Sequence, residues 1–149
     1  GNFATIKEDG TLCDRRAGRP PTEKNAELCK LIREKLTPQG SSTPMVDGIE
    51  IDIQPVREHR FLAVFKGRDF SHEITETDPL VLDLPPLDTK PLSDTAEPVV
   101  QETADLVNSF IKKVSEVLAN QQPANAILLR GFSMIPDIPS MKDRFKLTP

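Results

Sequence analysis

The stretch Gly48-Ile49-Glu50-Ile51-Asp52-Ile53-Gln54 decides the fold. Its three isoleucines point one way and Glu50, Asp52 and Gln54 the other, which is the two-residue period of a strand with one buried and one solvated face. Such a strand needs a partner. Phe61-Leu62-Ala63-Val64-Phe65 follows after a short connection. It is apolar at every position and reads as a more central strand. Antiparallel pairing across Val56–Arg60 is the least costly way to join the two. Pro55 ends regular pairing or marks a bulge.

Outward from this pair, Phe3–Ile6 is a short β-prone run closed by Asp9-Gly10, and Thr11-Leu12-Cys13 follows it, so a hairpin around Lys7–Gly10 is expected. Pro20-Pro21-Thr22 announces a helix with Thr22 as N-cap. Ala26, Leu28, Leu31, Ile32 and Leu36 then share one face up to Thr37-Pro38. Ser41–Asp47 reads as a polar loop. A second helix spans about Ala96–Ala119, where Val99, Val100, Thr103, Val107, Phe110, Ile111, Val114, Val117 and Leu118 recur at three- and four-residue spacings. Pro98 belongs in its first turn, where no backbone donor is lost. Ala126–Leu129 is a final strand. Gly67–Asp94 is long and irregular, with a short strand expected at Leu80-Val81-Leu82. Two helices and four or five short strands make an α+β layer: a mostly antiparallel sheet with both helices on one face.

The chain has 149 residues, enough for one domain. With 19 basic and 23 acidic residues its net charge is −4, which argues against wholesale nucleic-acid binding but not against a local basic patch. No apolar run approaches the ~18 residues needed to cross a bilayer. Two cysteines, Cys13 and Cys29, are too few for a disulfide framework and read as reduced thiols of a cytoplasmic protein. His59 and His72 are the only histidines, a poor supply for a self-contained metal centre. Trp and Tyr are absent, so seven Phe carry all the aromatic packing. The first residues are already strand-like and no initiator Met precedes them, which reads as a piece from the middle of a longer protein.

The segment richest in chemistry is Asp14-Arg15-Arg16-Ala17-Gly18-Arg19. Three guanidiniums leave one strand exit, each a planar fork of donors charged at any physiological pH. Converging forks can hold a phosphate or carboxylate bidentately. Arg57-Glu58-His59-Arg60 sits at a second strand junction, and His59 there can donate to a phosphate or move a proton. If both junctions share one sheet edge, they form an anion pocket on an acidic protein. The other reading is of solvated turns that touch nothing. Stacking aromatics, which a nucleic-acid site would need, are missing beside the arginines. Cys13 either faces the arginines or points into the core. Thr75-Glu76-Thr77-Asp78-Pro79 reads as an Asx-type turn before proline, and Arg130-Gly131 as a solvated strand exit. No Gly-rich phosphate loop, nucleophile elbow or metal-ligand spacing occurs.

Taken together, Asn2-Phe3-Ala4-Thr5-Ile6, Asp9-Gly10-Thr11, Asp14–Arg19, Glu58-His59-Arg60, Gly67, Thr75–Pro79 and Asn125–Gly131 resemble the archaeal-type cofactor-independent (2,3-bisphosphoglycerate-independent) phosphoglycerate mutases. The blocks come in that family's order and cover nearly the whole chain. Leu80 stands where members commonly have His, and the stretch between the long helix and the last strand is shorter. The resemblance implies an alkaline-phosphatase-like metal domain carrying two divalent ions (Mn, Mg or Zn) and a nucleophilic serine, with a smaller domain inserted into it. Residues 1–149 resemble that inserted cap domain, and the Pro-rich tail 134–149 would lead back to the missing catalytic domain.

The implied reaction interconverts 3-phosphoglycerate and 2-phosphoglycerate through a phosphoserine on the other domain. Asp14, Arg15, Arg16, Arg19, His59 and Arg60 would bind the substrate. The fragment itself would hold no catalytic residue, metal or cofactor and would be inactive alone. Its partners would be phosphoglycerate and the missing domain, with no nucleic acid and no membrane, in the cytoplasm. Two alternatives stand beside this: a phosphotransferase or phosphonopyruvate decarboxylase-like enzyme of the same superfamily, and a non-catalytic interaction domain.

Overall fold

The computed structural model describes residues 1–135. From 136 onward the expected Pro-rich tail lies outside the described residues. Eight elements follow in order: β1 (Asn2–Ile6), β2 (Leu12–Asp14), α1 (Thr22–Leu36), β3 (Met45–Val46), β4 (Ile49–Arg57), β5 (Arg60–Lys66), α2 (Pro98–Leu118) and β6 (Ala126–Leu128). The sheet runs β2-β1-β5-β4-β3, with β6 also paired to β1, and every pairing is antiparallel. The described sheet therefore has six strands rather than four or five. The extra one, β3, is a two-residue pairing of Met45 with Glu50 and Val46 with Ile49, too short for periodicity to show.

The β4–β5 hairpin is the spine. Ile51 faces Phe65, Ile53 faces Ala63 and Pro55 faces Phe61, so the apolar positions of both strands meet on one side. The register shifts between Pro55 and Arg57, and β4 continues through the proline to Arg57 by way of this bulge. Both helices cover that side. α1 lies against β4 and β5, α2 against β3 and β6, and the two touch each other. Between them lies a core of Phe3, Leu28, Ile32, Ile51, Ile53, Phe61, Val107, Phe110, Val114 and Leu118. Phe110 is fully buried and meets Phe65 edge-on at 5.4 Å, while Phe3 tilts against Phe61 at 5.0 Å. With no Trp or Tyr, these phenylalanines supply the bulk of the aromatic burial.

The opposite face is unequal. Under β1 and β6, Ala4, Leu12, Ala126 and Leu128 form a smaller buried cluster. Under β5 that face is open: Leu62 is exposed and Val64 only half-buried, so the apolar run of β5 does not mean burial on both sides.

Three local expectations are corrected. Thr22 is the first helical residue of α1 rather than its cap; Pro21 precedes it, and the Thr22 hydroxyl instead accepts from the amide of Glu58. Leu80-Val81-Leu82 is not a strand: Leu80 and Asp83 have φ of 66° and 63°, and the three side chains are exposed. Ser41–Asp47 is not all loop, since it contains β3. The rest of 67–94 is held by scattered backbone bonds, Thr75 to Lys90, Leu92 to Glu73 and Leu87 to Thr77, which leave no repeating pattern.

Candidate functional site

The Asp14–Arg19 turn forms at the exit of β2 because one carboxylate organises it. Asp14 accepts from the amide of Arg16 at 2.8 Å and from that of Gly18 at 2.6 Å. Ala17, Gly18 and Arg19 all have positive φ, 48°, 69° and 54°, a run that Gly18 eases and that the Asp14 bonds compensate. Asp14 thus shapes the backbone that presents the arginines. Arg15 and Arg16 leave this turn in different directions. Arg15 forms a two-pronged pair with Asp78, Nε to Oδ1 at 2.8 Å and Nη2 to Oδ2 at 2.6 Å. Arg16 stays outside that pair, beside the β4–β5 turn.

That second turn is held from two sides. The amide of Phe3 donates to the carbonyl of His59 at 2.7 Å. Asn25, fully buried on α1, donates through Nδ2 to the carbonyls of Glu58 at 2.7 Å and Arg60 at 2.6 Å, and its Oδ1 accepts from the Cys29 thiol. Glu58 itself has φ of 52°. Asn25 is a support of this turn that sequence reasoning missed. Its signal was present: it stands on the same helical stripe as Leu28, Cys29, Ile32 and Leu36, the one amide among apolar residues.

Between these turns lies an open depression of about 510 Å3, lined by Arg16, His59, Arg60 and Arg130 with Gly1, Asn2, Val56, Phe61 and Leu62. The cations reach it from three segments distant in sequence: the exit of β2, the β4–β5 turn and the exit of β6. Arg130, read from sequence as a solvated strand exit, is the correction here. β6 pairs with β1, and that pairing carries its exit to the same edge.

His59 is nine-tenths buried, and its Nδ1 is the one buried side-chain nitrogen or oxygen without a hydrogen-bond partner among the described residues. Burial, then the charges of Arg60 and Arg16, lower its pKa from the ordinary 6.5; Glu58 opposes them and Arg19 adds to the lowering. The imidazole is therefore neutral at pH 7 and has an unused polar atom beside guanidiniums. Arg19 is exposed and close enough to act on His59 electrostatically. Cys13 is exposed, with its thiol toward the Thr5 carbonyl, and Cys29 is buried, its pKa pushed up to about 11 by desolvation.

Chemically, the arrangement is suited to receiving a small anion. It offers fixed positive charge, a neutral hydrogen-bonding ring and an apolar wall from Val56 and Leu62. Among the described residues no three His, Cys, Asp or Glu side chains gather as a metal site needs.

The sequence profile of 2,3-bisphosphoglycerate-independent phosphoglycerate mutase matches residues 1–125. The chain belongs to the 2,3-bisphosphoglycerate-independent phosphoglycerate mutase family. A relative in Thermus thermophilus, named as a probable mutase of this family, is 39% identical over 149 residues, which is 100% of this chain and 34% of that protein. Another in Aquifex aeolicus, named likewise, is 38% identical over 156 residues, 100% of this chain and 36% of that protein. The solved cofactor-independent phosphoglycerate mutase of Thermoplasma acidophilum superposes with a TM-score of 0.74 at 28% identity, over 97% of this chain and 39% of that one. The mutase-family chain thus spans about a third of the length of the curated relatives it matches. No helix among its described residues is long and apolar enough to cross a membrane.

Proposed function

We propose that this chain is the inserted, substrate-clamping domain of a cytoplasmic phosphoglycerate mutase that interconverts 3-phosphoglycerate and 2-phosphoglycerate. The observation that carries the reading is the convergence of Arg16, His59, Arg60 and Arg130 on one depression, in a chain whose family profile covers residues 1–125. The substrate is a small acid with a phosphate and a carboxylate, and guanidinium forks match both groups. In this reading Arg16 and Arg60 hold the two anionic groups, with Arg19 at the rim. His59 donates or accepts at a neutral oxygen. Arg15 and Asp14 support the turn rather than touch the ligand.

In this reading phosphoryl transfer itself belongs to the remainder of the parent chain, for which the resemblance implies a serine and two divalent ions. Against that remainder the cationic depression does two jobs. It keeps the glycerate from leaving while it turns between the two transfers, and on closure it limits the water that would hydrolyse the phosphorylated enzyme.

The test is steady-state kinetics on the full-length parent enzyme with Arg16→Ala and Arg60→Ala. Each is expected to lower kcat/KM for 3-phosphoglycerate on the order of tenfold or more, the effect of losing one charge-assisted hydrogen bond. Unchanged kcat/KM in both variants removes the clamp. A substrate screen on the same enzyme separates a mutase from a phosphotransferase or phosphonopyruvate decarboxylase-like relative.

A further inference from the structure

Asp78 is the one acidic side chain among the described residues that reaches both arginine-bearing strand exits. Its carboxylate is wholly shielded from solvent. Oδ1 accepts from Arg15 Nε and, at 2.9 Å, from the amide of Leu80 in an Asx-type turn. Oδ2 accepts from Arg15 Nη2 and lies 3.5 Å from Nη1 of Arg130. Burial pushes the Asp78 pKa up, but the Arg15 hydrogen bond, the Leu80 amide and the charges of Arg15 and Arg130 outweigh it, and the group is held below its ordinary value.

The segment around Asp78 is itself tied to the end of β6. The amide of Thr77 donates to the carbonyl of Leu129 at 3.0 Å, the amide of Leu129 donates to Thr77 Oγ1 at 2.8 Å, and the amide of Gly131 donates to Glu76 Oε1 at 2.9 Å. Arg130 is flanked by these bonds, half-exposed, with Glu76 at 4.0 Å. Its backbone is fixed on both sides, and its guanidinium is steered by a buried anion while its outer surface faces the depression.

We propose that Arg130 is a further ligand of the anion site and that Asp78 is the positioning residue that holds it there, an assignment that rests on the clamp reading above. The division of labour follows from exposure. Arg15 gives both prongs of its fork to Asp78 and is thereby consumed as a structural counter-ion. Arg130 touches Asp78 with one nitrogen only, at a longer distance, and keeps donors free for a ligand. One buried carboxylate between two guanidiniums leaves net positive charge, and that charge is displayed at Arg130. Removing the carboxylate releases Arg130 to other rotamers and leaves two like charges near each other.

The experiment uses the full-length parent enzyme and 3-phosphoglycerate. Arg130→Ala, at a half-exposed position, is expected to fold and to raise KM on the order of tenfold. Asp78→Asn keeps the shape of the side chain and is expected to raise KM while kcat changes less. In the Arg130→Ala background, Asp78→Asn is expected to add nothing further to KM, because a positioning residue has no effect once the group it positions is gone. A merely structural role for Asp78 would persist in that background, and an undiminished KM effect there overturns the proposal. If Asp78→Asn does not fold, an Arg130→Ala enzyme with unchanged KM overturns it by itself. Arg68→Ala, which breaks an exposed pair with Glu102 remote from the depression, serves as the control with unchanged kinetics. Neutral Arg16→Ala and Arg60→Ala would overturn the clamp reading and this proposal together. Losses there with a neutral Arg130→Ala would overturn this proposal only.

Discussion

Asn25, in the first turns of α1, donates its side-chain amide to the backbone carbonyl of Arg60 at 2.6 Å. The second hydrogen of the same amide goes to Glu58 at 2.7 Å. One buried side chain thus sets the shape of the turn that carries His59 and Arg60, and couples the core to the cationic depression.

Asn25→Ala should therefore cost both stability and binding. It leaves two carbonyls without their buried donor, a loss of about 1–3 kcal/mol for each unsatisfied group, less whatever water recovers. Urea denaturation of the protein should show a midpoint well below the wild type, and in the full-length parent enzyme KM for 3-phosphoglycerate should rise. An unshifted midpoint would mean that the turn holds its own shape.

Asp14→Ala should loosen the first turn without disturbing the core. Its carboxylate bonds the amides of Arg16 and Gly18 and offsets three successive positive φ angles. The expected destabilisation is about 1–2 kcal/mol, as for other side-chain-to-backbone caps. KM of the full-length parent enzyme should rise with it, because Arg16 follows its backbone. Amide exchange at Arg16 and Gly18 is the direct check: protection equal to wild type in the variant contradicts this account.

His59 should titrate below 6.5 in the free protein. The unfolded chain takes the proton near 6.5 and the folded one only at lower pH. In that window the unfolded state binds more protons, so stability held above it is lost as pH falls through it. His59→Gln should flatten this part of the stability profile. Inorganic phosphate at the site would neutralise Arg16 and Arg60 and move the His59 midpoint upward. Imidazole resonances followed against pH, with and without phosphate, test both statements. A midpoint at or above 6.5 without phosphate contradicts the first, and no upward movement contradicts the second.

Much of this architecture is legible in local pattern. Alternation at Ile49–Gln54 and the apolar run at Phe61–Phe65 are enough for the central hairpin, since a two-residue period leaves one register that buries the isoleucines. α2 is legible from Val99 to Leu118 because its stripe is continuous over five turns. Local pattern fails where the cause is distant. Leu80–Leu82 has strand composition, but the left-handed φ at Leu80 and Asp83 interrupts an extended run, and only Asp83 and Leu84 reach the edge of β2, through Leu12. Thr22 has a capping side chain, yet the Glu58 amide of another hairpin claims it. Asn25 breaks the apolar stripe of α1, and only the carbonyls behind it show why.

The site divides along the same line. Residue type and spacing alone determined that Asp14–Arg19 and Arg57–Arg60 are dense in fixed positive charge next to strand ends, because charge and fork geometry are properties of single side chains. Which of those charges line one depression was decided by tertiary structure. Pairing of β6 with β1 brought Arg130 to the depression, and the burial of Asp78 withdrew Arg15 from it. Both follow from contacts between residues more than fifty positions apart: Arg15 gives both prongs of its fork to the buried carboxylate, while Arg130 meets it with one nitrogen and keeps its other donors toward open water.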